Sequence, residues 1–236
     1  MPADASAEPA ASSSPSRPGV REGLGYTIAT AISYVVNPLV LPPALFGLVL
    51  LHVGAPAEQV WGGTIIGLVF FGLFPLLYVG WMRVRGQIRS LEIRDRTKRF
   101  GPLLVGFLSG CAAYAAFLAT DFVGRELIAA IVACHVLNTV ILAAVTLRWK
   151  ISIHCTAVAG VVAVLWFAHG HVDGLLLSTP VWGRLLLGGG LLLVPLMAWA
   201  RVRSGAHTRA QVTGGSLFGL LAPYLELLAL SQGSML

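Results

Sequence analysis

Charge is what this chain has least of. Of its 236 residues only 11% are Asp, Glu, Lys or Arg, while 56% are apolar, and the acids number just 10. A soluble domain carries roughly 25% charged residues. A mean hydropathy of +0.81 therefore excludes an ordinary water-soluble fold and implies a polytopic membrane protein. Cysteine is nearly as scarce. Cys111, Cys134 and Cys155 fall in or beside apolar runs without metal-ligand spacing, which excludes a disulfide framework and a zinc site and leaves small core residues. Neither lysine, Lys98 or Lys150, lies inside an apolar run, so a retinal Schiff base is excluded. No cleavable signal is expected, because the first apolar run follows a polar tail and is too long for a signal core.

What remains is long apolar runs separated by cationic islands. Residues 1–22 are rich in Ala, Ser and Pro and read as a disordered tail, leaving 23–236 as one membrane domain. Apolar segments at about 26–53, 60–82, 102–120, 127–147, 151–167, 181–200 and 212–230 predict an all-α polytopic bundle of about seven transmembrane helices. Asn37-Pro38 and Pro42-Pro43 interrupt the first segment, either as a packing kink or to shape a cavity. The islands at 83–99, 148–154 and 201–209 follow alternate segments and so share one membrane face with the tail. Of 16 Lys and Arg residues, 14 lie on that face, all but Arg125 and Arg184. The positive-inside rule puts this face in the cytoplasm and the C-terminus outside, in the cell (inner) membrane.

Three clusters in the islands carry chemistry. Asp95-Arg96-Thr97-Lys98-Arg99-Phe100-Gly101-Pro102 closes the first. Ser152-Ile153-His154 opens the fifth segment, where first-turn N–H groups and the positive dipole end attract anions. Arg201 stands six residues before His207, followed by Thr208, Gln211 and Gly214-Gly215-Ser216. Cations, a hydroxyl and imidazoles on one face suggest a phosphate site, although the same residues would also serve as interfacial anchors. In order, spacing and shared face they resemble the type 2 phosphatidic acid phosphatase (PAP2) superfamily. Its pattern is a Lys/Arg-rich motif ending in Arg-Pro, then Pro-Ser-Gly-His, then Ser-Arg, five residues, His, three residues, Asp. Ser152 and His154 match the second motif, with Ile151 and Ile153 in place of its Pro and Gly. Arg201 and His207 match the third, with Ala200 for its Ser and Gln211 for its Asp. Arg96 and Arg99 are candidates for the Arg of the first, Lys98 or Arg89 for its leading cation, and Pro102 is displaced from it.

The resemblance implies a membrane phosphatase with a PAP2-like core, acting on a lipid phosphate or isoprenyl (di)phosphate through a phosphohistidine. His207 would be the nucleophile and His154 the general acid. Arg96, Arg99, Lys150, Ser152 and Arg201 would clamp the phosphate, with Gln211, Asp95 and Asn138 in support. The residue types suit that chemistry. Imidazole attacks when neutral and donates when charged, both near pH 7. Guanidinium forks match phosphoryl oxygens. Gln211 can orient His207 without stabilising its cation; Asp95 or Glu92 supplies that charge, or Asp95 simply pairs with Arg94 or Arg99. No metal or other cofactor is implied, since Glu92 and Asp95 are the only acids nearby. The same scarcity argues against an intramembrane prenyltransferase, whose family carries Asp-rich motifs. The expected partners are the lipid phosphate or isoprenyl diphosphate substrate and membrane lipids, with no nucleic acid; oligomeric state is not set by the sequence. The Gln211 departure motivates an alternative, a non-hydrolytic relative that binds or transports phospholipid or isoprenyl phosphates.

Other polar residues stand inside or at the ends of the spans. His135 and Asn138 share one helix face, which leads either to a cavity above His154 or to a hydrogen bond between helices. Glu226 is a buried hydrogen-bonded acid or a proton-handling group. His52, His169 and His171 fall at the far face and read as interfacial residues.

Overall fold

The computed structural model describes residues 23–88, 93 and 96–232, with Arg96 and Thr97 described in backbone only. The tail at 1–22, Arg89, Glu92, Arg94 and Asp95 lie outside the described residues, as does the side chain of Arg96. Every regular element among the described residues is a helix. We label them α1 (Leu24–Val35), α2 (Leu41–His52), α3 (Ala57–Val84), α4 (Phe100–Leu118), α5 (Arg125–Arg148), α6 (Ile153–His171), α7 (Pro180–Arg203) and α8 (Arg209–Gln232). The six helices α3 to α8 are each long and apolar enough to cross a membrane. The protein is thus an all-α polytopic membrane bundle.

The first apolar segment departs from a single crossing. It is split into two twelve-residue helices, each too short to span alone. The cause is local. A residue before proline is pushed out of the helical region, and Pro38 has no N–H to donate. Asn37 takes up the turn, its Oδ1 accepting from Leu39 N–H at 2.9 Å. Pro42 and Pro43 then sit in the first turn of α2, where a missing N–H costs little. The two halves still run between opposite ends of the bundle: Gly25 lies against the Arg203 guanidinium, and His52 lies against Val172 and Leu177.

His52 is buried, at 0% exposure, rather than interfacial. Its Nδ1 accepts from Leu177 N–H at 3.2 Å, so its other nitrogen carries the proton and faces the carbonyls of Ala168 and Val172. It ties the loop after α6 to the end of α2.

Glycine determines how α6 and α8 meet. A Cβ at Gly219 would collide with the Thr156 carbonyl, and one at Gly215 would lie 2.7 Å from the Ser152 carbonyl. Four residues apart, these glycines form one bare face that lets the two backbones touch. Gly219→Leu is expected to destabilise the bundle by about 1–3 kcal/mol through overpacking. The measurement is the thermal midpoint in detergent, with Gly189→Ala as the control, because a Cβ at Gly189 meets nothing within 4 Å. Equal midpoints for both variants would mean that the α6–α8 contact is not a close one.

The apolar core lies between α2, α3, α4, α5 and α6. Phe46 is wedged edge-on between Phe71, at 5.5 Å, and Phe117, at 5.3 Å. Phe71 sits in a wide π turn of α3, Leu68–Leu73.

Candidate phosphate site

The three islands meet at one end of the bundle, linked by their own hydrogen bonds. Arg99, at the end of a 3₁₀ turn (Arg96–Arg99), donates from Nε to the Ile93 carbonyl at 3.0 Å and from a terminal nitrogen to the Ile151 carbonyl at 3.4 Å. Lys150 Nζ donates to the Ala206 carbonyl at 3.0 Å. The first island is thus tied to the second, and the second to the third.

The spacing of Arg201 and His207 follows from how α7 ends. Gly205 adopts φ 67°, a left-handed conformation suited to glycine, and turns the chain back on the helix. The Arg201 carbonyl then accepts from Ala206 N–H at 3.1 Å and from His207 N–H at 3.2 Å. This brings the imidazole back beside the residue six positions earlier. Arg201 is 3% exposed and His207 8% exposed.

The start of α8 fixes the His207 ring. Thr208 and Gln211 form a capping box: Gln211 N–H donates to Thr208 Oγ1 at 3.4 Å, and Thr208 N–H donates to Gln211 Oε1 at 3.2 Å. Because a backbone N–H only donates, the Gln211 atom it meets is the carbonyl oxygen. The same oxygen lies 3.1 Å from His207 Nδ1. Nδ1 therefore carries the hydrogen, and Nε2 is left with its lone pair. The Thr-x-x-Gln spacing signals this box in the sequence, although the resemblance drew attention to Gln211 only as a missing carboxylate.

Electrostatics keep that ring neutral. Burial first, then the charges of Arg201, Arg99 and Lys150, push the His207 pKa down to about 4, opposed by the Gln211 hydrogen bond. Three cations from three islands therefore act on one imidazole.

A cavity of about 450 Å³ opens at this cluster, lined there by Arg99, His154, Arg201 and His207. Two of the expected clamp residues do not line it. Ser152 is fully buried as the N-cap of α6, its Oγ facing Cys155 N–H at 3.5 Å and its own N–H directed to the Gln211 carbonyl at 3.3 Å. Helix capping is what takes this serine away from the cavity. Lys150 acts on His207 through its charge while holding the Ala206 carbonyl. Asn138 resolves its two readings by combining them. It lines the cavity, and its Nδ2 donates to Glu226 Oε2 at 2.8 Å, tying α5 to α8. His135 lines the cavity one turn away, edge-on to Phe71 at 4.8 Å. The interruption in the first segment also contributes, with Ser33, Tyr34, Asn37 and Pro38 in the lining.

Among the described residues no group of three or more His, Cys, Asp or Glu is placed to hold a metal ion. No protein-family model, curated protein or solved structure matches the chain.

Proposed function

We propose that this protein is a membrane phosphatase that hydrolyses a lipid phosphate or isoprenyl (di)phosphate through a phosphohistidine on His207, at a site facing the cytoplasm. The observation that carries this reading is a neutral imidazole of fixed tautomer set among three cations at the mouth of a mostly apolar cavity. Arg99 and Arg201 bind phosphoryl oxygens, and Lys150 adds positive potential. His207 Nε2 attacks phosphorus and the bond from phosphorus to the lipid oxygen breaks. His154, protonated, gives its proton to the departing oxygen. Water then attacks phosphorus, His154 takes the water proton, and the phosphorus–nitrogen bond breaks to release phosphate. The tail stays in the apolar cavity throughout. The excess of cations at this end of the bundle supports a cytoplasmic site.

The test is phosphate release by the purified protein from lipid monophosphates and isoprenyl diphosphates in the presence of a chelator. Release is expected. No release from any of them, by folded protein that still binds a lipid phosphate, would overturn hydrolysis. It would favour instead the non-hydrolytic binding or transport role to which the neutral Gln211 points.

A further inference from the structure

Below the cationic cluster the cavity continues into the bundle and ends at Leu45, Phe46, Phe71, Ile131 and Val164. From His154 to Val164 the wall formed by α6 descends ~15 Å at 1.5 Å per residue. That depth is about half of a ~30 Å hydrocarbon core, the thickness of one leaflet. The walls carry polar side chains, three of whose hydroxyls are engaged with backbone carbonyls. Ser33 Oγ donates to the Ala29 carbonyl at 2.9 Å, Thr139 Oγ1 to the His135 carbonyl at 2.8 Å, and Thr156 Oγ1 to the Ser152 carbonyl at 3.1 Å. Asn138 is held by Glu226. His135 and the Oδ1 of Asn138 remain as polar groups part-way down an otherwise mostly apolar wall. Its floor is rigid, because Phe46 and Phe71 are 2% and 4% exposed and locked edge to face.

We propose that this cavity is a tail chamber of fixed length, which takes one hydrocarbon chain of leaflet length from a lipid phosphate and excludes polyprenyl chains at the Phe46–Phe71 floor. The proposal rests on the phosphatase reading for which end of the chamber holds the phosphate. It narrows the substrate class to lipids with acyl-length chains.

Two substitutions move the limit in opposite directions. Gly106 lines the chamber, and a Cβ there meets nothing within 4 Å, so Gly106→Leu starts a side chain into open space. It lies ~10 Å along α4 from Arg99, well short of the floor. Phe71→Ala removes part of the floor. Binding of alkyl phosphonates from octyl to octadecyl, and of a polyprenyl phosphonate, is measured to protein in phosphatidylcholine nanodiscs. Wild-type protein is expected to favour the leaflet-length chains over both the shortest and the polyprenyl ligand. Gly106→Leu is expected to weaken the dodecyl ligand roughly tenfold or more, on the scale of an overpacked contact, and to leave the octyl ligand unchanged. Phe71→Ala is expected to admit longer chains. A profile that the folded Gly106→Leu protein does not shift, or a polyprenyl ligand bound as well as dodecyl by wild type, would overturn the chamber. Phosphonates cannot be hydrolysed, so this result does not depend on turnover. Phosphate release from the matching alkyl phosphates, measured on the same nanodiscs, tests the phosphatase reading separately.

Discussion

His207→Ala is expected to lower phosphate release by a factor on the order of 10⁴ or more, while a lipid phosphonate still binds within a few-fold of wild type. The two effects separate because nucleophile and clamp are different groups. Arg99 and Lys150 keep their anchors when the imidazole is removed, as those anchors are the Ile93, Ile151 and Ala206 carbonyls, and Arg201 keeps its place in the last turn of α7. Arg201→Gln is the contrasting variant. It removes a buried charge at the site, so binding and turnover fall together, by about tenfold to a hundredfold for one charge-assisted hydrogen bond. His154→Ala completes the set. Loss of a general acid costs roughly 10²–10⁴ on an alkyl phosphate, and much of it should return with a nitrophenyl ester, whose leaving group needs no proton. Turnover that survives in His207→Ala would remove the phosphohistidine from this protein, whatever the other two variants did.

The bundle was legible because its dominant signal is one-dimensional. An apolar run long enough to cross a bilayer needs no partner to be recognised. The expected segment at 127–147 is α5, Arg125–Arg148, and that at 212–230 is α8, Arg209–Gln232. The apolar run of the fifth segment ends at 167, yet α6 continues through His169 to His171. Within the first segment, Asn37-Pro38 marked a disturbance; that it breaks the helix outright depends on the Asn37 side chain closing the turn.

The site was legible to the extent that its residues lie close together in the chain. Arg201 and His207 are joined by a single helix-terminating turn, and His207 and Gln211 by one capping box. Ser152 caps α6, and its spacing does not announce this, because a serine two residues before a histidine serves a helix cap as readily as a phosphate. The depth of the cavity was invisible for the same reason. It depends on a π turn in α3 that carries Phe71 to Phe46, and no residue spacing announces that turn.

Gln211→Glu is expected to raise turnover by roughly 10² and to move the acid limb of the pH profile upward by a unit or more. Glutamate has the shape of glutamine, and both functions of the side chain need only an acceptor oxygen. The bonds from Thr208 N–H, 3.2 Å, and from His207 Nδ1, 3.1 Å, therefore persist, and the capping box with them. A negative charge in the first turn of α8 is also favoured by the helix dipole. What changes is the charge facing His207. In the wild-type protein its pKa is about 4, so the attacking neutral form prevails from there upward. A carboxylate offsets part of the field of Arg201, Arg99 and Lys150, raises that pKa toward the ordinary value of about 6.5, and stabilises the positive imidazole that forms as the bond to phosphorus develops. In a serine-protease triad the reverse change, carboxylate to amide, costs about 10⁴. Only part of that is expected here, because three cations already surround the ring. Stability follows the same sign. Between about pH 6.5 and pH 4 the unfolded chain binds a proton at His207 that the folded wild-type protein refuses, so the stability contributed above pH 6.5 is lost as pH falls through this window. The window narrows in Gln211→Glu, and the acid end of the unfolding profile flattens. An acid limb and a turnover that both stay where they were would mean that Gln211 does not govern the His207 proton. The fixed tautomer would then have no part in the chemistry.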